Sequence, residues 1–592
     1  MSQGKKKSGG RGRQGGSPDR RTREQQALQA ARQRPAGTAS SPAGAGKPAE
    51  DSSGTGVTRY YLDVSAIRIQ EWLARTPSLK QWRGASVMLS DATSRDAWKG
   101  KLPAGTRWND EAGDLAGVVS LLAESDSADE AREALVEAAR VVAADLRARL
   151  PHCPIRGFVG SGTSYARAYA EIDQKRRAGM TEVDAPTPPP ELVLAMLCET
   201  CLQAPAVRFV RTDDGEPRVC DECARRLSAA GRTTGGGARV PRAEAVLRDK
   251  LVALGHPAPR FPDTSNELAE AALWKVDDVP SQVALIYVDG NRVGAFLEKA
   301  AKAAATIGRP AKEKIVTAIG EATTDALATT VHTLFESRDI LPVMPHLADG
   351  DDLMVSVAAP DAWPFVHLLL DEFSRQLAMH TQDWPQEVRN DLPTVSAGVV
   401  FHHRSHPFSD AVHLVKDRLR AAKEAVEGRA ATVDFLDLTA DGGASPESRA
   451  RTLVDLDADA ALLGRIAQVP AAQRATLVGL CRQAAADDAA EDAALVAGRA
   501  LSERPAGAES AAEALARRLV ELGAVPLWKV IGLRSGADAE LVRDRLVGRD
   551  HRADRGKLRA MLDMARWWPA ATQPIATAAN ESAGAELVGA GR

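Results

Sequence analysis

Cysteine is scarce in this chain, with six residues in 592. A disulfide scaffold is therefore excluded, and a reducing, cytoplasmic setting is the natural expectation. Long apolar runs are missing too, so no membrane-spanning helix is expected. The basic N-terminus is not followed by an apolar segment, which excludes a secretory signal. Neither sign of charge dominates. A net charge of −3 argues against a globally basic nucleic-acid binder. Aromatic residues amount to only 4%, but an apolar content of 44% is ample for several cores. The length corresponds to about four domains.

What is present centres on His346-Leu-Ala-Asp349-Gly350-Asp351-Asp352-Leu-Met-Val-Ser-Val357. Asp349-Gly350 is a two-residue hairpin signal, because both residues tolerate the positive φ of a type I′ turn. The alternating apolar residues after it read as a strand. Upstream, Val283-Ala-Leu-Ile-Tyr-Val288 reads as another strand, running into Asp289-Gly290-Asn291-Arg292-Val293-Gly294. With the helical patterns between and after them, and a last strand at Thr394–Phe401, the order is β-α-β-β-α-β. That is a ferredoxin-like palm, in which the first strand and the central hairpin are neighbours. Asp289 and the Asp351/Asp352 pair are then expected to meet around metal ions. Acid-rich turns are usually solvated loops, but two at the right ends of neighbouring strands favour a metal site.

Residues 1–57 are rich in Gly, Ser, Pro and Arg/Lys without apolar periodicity and read as a disordered basic tail. Transient contact with RNA or DNA and simple solubilisation both fit it. Residues 58–180 repeat the palm order: a strand at Arg59–Val64, a helix at Ile67–Ala74, a hairpin within Arg107–Leu122, a helix at Glu130–Leu150 and a strand at Ile155–Val159. Asp63 and Asp114 stand near the corresponding turns, but no Asp-Asp pair is present. This first palm is expected to be catalytically degenerate. Ser161-Gly-Thr-Ser164 reads either as a phosphate-contacting loop or as an ordinary turn.

Within 190–230, Cys198-x-x-Cys201, eighteen residues and Cys220-x-x-Cys223 give the spacing of a four-cysteine zinc site. Asp213-Asp214-Gly215 is placed to turn a ribbon hairpin between the two pairs. Four protein ligands leave no open position for a catalytic water, so Zn²⁺ is expected to be structural. Cys153 and Cys481 read as packing residues. Residues 231–280 form a Gly-rich linker and helices, with Thr264-Ser265 as an N-cap. The second palm spans 281–440. Its closing helix, Ala411–Val426, carries Lys416, Arg418, Arg420 and Lys423. Such a face is commonly just solvated, but beside paired carboxylates one cation is a reasonable triphosphate ligand. Residues 445–592 read as a helical C-terminal domain without a catalytic constellation. In it, Trp567-Trp568 fits either a core or a partner surface.

Two palms flanking a four-cysteine element, followed by a helical domain, resemble the large subunit of type III CRISPR effector complexes in its Cmr-type form. Ile69-Gln70-Glu71-Trp72-Leu73-Ala74-Arg75-Thr76, with Leu79, Trp82, Ser86 and Leu89-Ser90, is similar to that family's first-palm helix signature. Phe261-Pro-Asp-Thr264 is similar to the segment before its second palm. Asp289-Gly290-Asn291 through Gly294 resembles its D-G-[DN]-x-x-G, and Ala348–Asp352 resembles its G-G-D-D hairpin. Ser396-Ala-Gly-Val399 and Ala422-Lys423 complete the set. The likeness covers roughly residues 58–440. Two departures stand out: Asp349 replaces the first hairpin glycine, and the HD nuclease domain that begins many members is not found, the chain having no His-Asp dipeptide.

The resemblance implies a nucleotidyltransferase that joins ATP into cyclic oligoadenylates as an antiviral second messenger. Asp289, the Gly290 carbonyl and Asp351/Asp352 would hold two Mg²⁺ or Mn²⁺ ions, hard cations that carboxylates suit. Gly290, Asn291, Gly294, Gly350 and Lys423 would contact the nucleotide. Guide RNA and target RNA would be partners through other subunits. A diguanylate-cyclase-like enzyme is the first alternative, opposed by Asp352 standing where a Glu is expected and by the zinc element. A non-catalytic scaffold is the second, opposed by the intact Asp289 and Asp351-Asp352 set.

Overall fold

The computed structural model describes residues 57–468 apart from 113–116, 126, 186–195, 213–214, 231–239, 257–258, 274–280, 298–311 and 442–448, together with parts of 470–479 and residues 553–569. The tail, Asp114, the Asp213-Asp214 turn, the Gly-rich linker, Cys481 and most of the C-terminal domain lie outside the described residues. Among the described residues no helix is long and apolar enough to cross a membrane.

The first palm opens with β1 (Arg59–Ala66), whose alternate side chains serve two faces. Leu62, Val64 and Ala66 join one core, while Tyr61 packs on the other side with Tyr165, Ala168 and Ile172. The expected first helix is a short α1 (Ile69–Leu73), and the longer crossover is α2 (Leu79–Thr93). Trp82, Ala85, Leu89 and Ala92 recur at helical spacing along α2 and are buried. The hairpin of β2 (Thr106–Trp108) and β3 (Val118–Ala123), then α3 (Ala128–Arg149) and β4 (Ile155–Gly162), complete the motif. Helix α4 (Tyr165–Arg177) and β5 (Val183–Ala185) extend it. The sheet order β2-β3-β1-β4-β5 puts the first strand between the third and fourth, as a palm requires.

Strands β6 (Arg208–Phe209) and β7 (Arg218–Val219) pair as the expected ribbon, followed by α5 (Asp221–Ala230). Helix α6 (Arg242–Ala253) leads toward the second palm. There β8 (Gln282–Gly290), α7 (Lys312–Phe335), β9 (Val343–Asp349), β10 (Asp352–Ala358), α8 (Ala362–His380) and β11 (Val395–His403) follow in the expected order. A crossover through α9 (Phe408–Ala425) then adds β12 (Thr432–Asp437) parallel to β11. The sheet ends in β13 (Arg451–Thr452), giving the order β13-β12-β11-β8-β10-β9.

Ala284, Ile286 and Val288 face one core with residues of α7 and α8. Leu285 and Tyr287 point the other way, into a core shared by α9 and the first palm. The palms meet there directly: Trp82 lies edge-on to Phe408 at 5.3 Å, and the Phe408 N–H donates to the Pro77 carbonyl. Trp567 and Trp568 are core residues of the second palm. Trp567 stacks on Phe401 at 5.5 Å, and its Nε1 donates to Asp437.

Candidate functional site

The acids are brought together by strand register. Leu353 pairs with Val288, so the next position outward sets Asp352 of β10 beside Asp289 of β8. Side chains alternate, so Asp289 shares the face of Tyr287 and Leu285, the face covered by α9. The turn itself differs from expectation. Asp349 and Asp352 pair, leaving Gly350-Asp351 as the two-residue loop. Only Gly350 has positive φ, at 60°, which is the pattern of a type II′ turn rather than I′. The slip by one residue carries Asp351 over the end of β8. A Cβ on Gly290 would lie 2.5 Å from the Asp351 carboxylate, so only glycine admits this approach. Asp349 stays exposed at the end of β9.

Two cations of α9 face this cluster, two helical turns apart. The Lys423 ammonium donates to Asp289 Oδ2 at 2.5 Å and to the Gly290 carbonyl at 2.8 Å. Lys416 is held below its ordinary value by burial, against the opposing charges of Asp352 and Glu71. Burial, then the Asp289 charge, pushes the Asp352 carboxyl up to about 7, while the Tyr287 hydroxyl and Lys423 pull it down. Asp351 is raised for the same two leading reasons. The Tyr287 hydroxyl donates to Asp352 Oδ1 at 3.0 Å and accepts from Gln70 Nε2 at 3.1 Å.

The donor set here is oxygen only: three carboxylates and one backbone carbonyl. It fits Mg²⁺ or Mn²⁺ and not a thiophilic metal. The Lys423 ammonium marks where positive charge is held between Asp289 and Gly290.

Other expected contacts fall differently. Asn291 is buried, and its side chain is bonded to Thr394, Ala430 and Ser396. It anchors the turn from within rather than facing a ligand. Gly294 has open space around its Cβ position. The Ser161 amide and hydroxyl both donate to Glu171, so this loop is closed on itself. Asp63 is corrected outright. It stands mid-strand, 1% exposed, accepting from Ser120 at 2.7 Å and Tyr165 at 2.9 Å, and not near a turn. Burial raises its carboxyl. Sequence reading missed Tyr287 and Gln70; the signal was the two-residue spacing from Tyr287 to Asp289.

Cys198, Cys201, Cys220 and Cys223 are buried, with sulfurs all within 4.8 Å of one another. The Cys201 and Cys220 sulfurs are 3.9 Å apart. Tetrahedral Zn–S bonds of about 2.3 Å require sulfurs about 3.8 Å apart, so the thiols fit Zn²⁺. The same element grips the first palm. Arg226 of α5 is fully buried, donates to the Trp72 and Leu73 carbonyls at 2.6 and 3.0 Å, and lies over the Trp72 ring. Those carbonyls end α1, the helix that carries Gln70.

Comparison with known proteins adds the family. Residues 282–432 match the family model described as Cas10/Cmr2, second palm domain. No curated protein matches the chain. Among solved structures it is similar to Csm1 in T.onnurineus, at 12% identity and TM-score 0.45, covering 86% of this chain and 69% of that one. A Csm1-Csm4 cassette in complex with pppApApA matches at 14% identity and TM-score 0.45, covering 87% and 71%. Another in complex with cA4 matches at 12% and 0.43, covering 86% and 70%. By its strand order, its paired acids and this family match, the segment 282–432 belongs to the second palm domains of the Cas10/Cmr2 family.

Proposed function

We propose that the second palm is a metal-dependent nucleotidyltransferase that converts ATP to cyclic oligoadenylates, working with guide RNA and target RNA through partner subunits. The observation that carries this reading is the placement of Asp289 and Asp352 at the adjoining ends of β8 and β10, next to the Leu353–Val288 pair, with Lys423 bonded to Asp289. Asp289, Asp351, Asp352 and the Gly290 carbonyl would hold Mg²⁺ or Mn²⁺, which supplies acidification of the attacking hydroxyl and charge stabilisation on the departing pyrophosphate. The chain's own groups do the rest. Lys423 and Lys416 set positive charge beside the acids, where a triphosphate's charge needs offsetting. Gly290 admits the approach of Asp351, Gly294 keeps the backbone approachable, and Tyr287 fixes the Asp352 carboxylate.

The four thiols would hold Zn²⁺ in a purely structural role. The test is nucleotide turnover: the purified protein, with and without its RNA-bound partners, is given ATP and Mn²⁺, and products are separated by chromatography. Pyrophosphate and 3′–5′ linked adenylates that vanish in Asp289→Ala support the reading. No turnover in the fully assembled complex would leave the scaffold role.

A further inference from the structure

From the contact between the palms we infer that Gln70 and Tyr287 are positioning residues for the acid site: Gln70 of the first palm fixes the Tyr287 hydroxyl so that its proton is delivered to Asp352. The inference rests on the metal-site reading above and extends it to a residue of the other palm.

Hydrogen-bond accounting dictates the direction. In the ionised form that would bind a metal ion, the Asp352 carboxylate only accepts, so the Tyr287 hydroxyl donates to its Oδ1. The hydroxyl's lone pairs then need a donor, and Gln70 presents its amide nitrogen at 3.1 Å. An acceptor at the same place would draw the proton away from Asp352. Gln70 lies 217 residues from Tyr287, on α1, a helix that β8 does not itself position. Instead, the α1 end is held by Arg226 through the Trp72 and Leu73 carbonyls. The orientation of a metal-binding acid in one palm is thus set by a side chain of the other.

Outer-shell hydrogen bonds to metal-binding groups change metal affinity by about 10- to 100-fold when removed. The test uses Mn²⁺ alone, without nucleotide, titrated into the full chain and followed by electron paramagnetic resonance. Thermal unfolding checks that each variant is folded, which is expected at Gln70 because it is only half-buried. Tyr287→Phe and Gln70→Glu should each weaken Mn²⁺ by about tenfold. The double variant should be no weaker than either single one, because both act through one proton. Gln70→Met, which removes the donor without adding an acceptor, should weaken Mn²⁺ less than Gln70→Glu. Asp289→Ala serves as the separate control. If it weakens Mn²⁺ while Tyr287→Phe and Gln70→Glu do not, or if the two losses add, the inference is overturned and the metal site stands. Tighter Mn²⁺ in Gln70→Glu would also overturn it, showing that added charge and not proton direction decides. If Asp289→Ala leaves Mn²⁺ binding unchanged, the metal-site reading itself falls.

Discussion

The Lys423 ammonium lies 2.5 Å from the Asp289 carboxylate, joining residues 134 positions apart in the chain. The bond closes α9 over the end of β8 and places one fixed cation among three acids. A cation held this way offsets the charge of Asp289, and under the proposed function it would be available to a triphosphate.

Lys423→Met should therefore separate binding from folding. One partly exposed ion pair contributes little stability, so the unfolding temperature should change only slightly. Turnover of ATP should fall by about 10² to 10³-fold, by analogy with the loss of one transition-state donor. Steady-state kinetics beside a thermal melt checks this, and equal activity in the variant would remove Lys423 from the site.

The acid site should bind divalent cations in a pH-dependent way. With Asp352 raised to about 7 by burial and Asp289, binding an ion requires the proton to leave. Mn²⁺ affinity should rise as pH increases through about 7 and level off above it. Stability runs the other way in metal-free protein. A carboxyl raised in the folded state contributes stability that is present below its unfolded value near 4 and lost as pH rises through about 7. Asp352→Asn should then raise the melting temperature more at pH 8 than at pH 5. A pH-independent effect would show that Asp352 titrates normally.

About one tightly held Zn²⁺ per chain is expected, measurable by elemental analysis. Cys198→Ser or Cys220→Ser should remove it and destabilise the chain, because metal binding here is folding energy. The disturbance should spread, since Arg226 of the same element holds the end of α1. Zinc-free protein that melts like the native chain would refute this role.

How much of this was legible in the sequence follows from what is local. Asp289 and Asp352 were legible because alternation and a Gly-containing turn place them without knowledge of distant residues. The turn slipped by one because Asp349-Gly350 and Gly350-Asp351 both satisfy turn chemistry, and only the ladder pairing of Asp349 with Asp352 decides. Tyr287 and Gln70 were missed because their meaning lies in a contact between palms. Trp567-Trp568 was ambiguous for the same reason: its partners, Phe401 and Trp363, are far upstream.

Asp63 was misplaced because Ser120 and Tyr165, which bury it, come 57 and 102 residues later. That correction yields the last prediction, a contrast between two acids. Asp63→Ala removes the acceptor of two buried donors, and each donor left unsatisfied costs about 1–3 kcal/mol. The first palm should therefore lose stability, visible as a lower denaturation midpoint, with any loss of turnover following from unfolding. Asp289→Ala removes a partly exposed acid whose ion-pair partner, Lys423, is itself partly exposed. It should leave the midpoint nearly unchanged while lowering turnover by about 10² to 10³-fold or more. Asp349→Gly should preserve or raise turnover, because Asp349 is exposed at the strand end and bears no part of the turn's positive φ. Denaturant melts and turnover assays on the three variants settle the matter together. An Asp63→Ala protein that is stable yet inactive would move the chemistry into the first palm, and an Asp289→Ala protein that is active would remove it from the second.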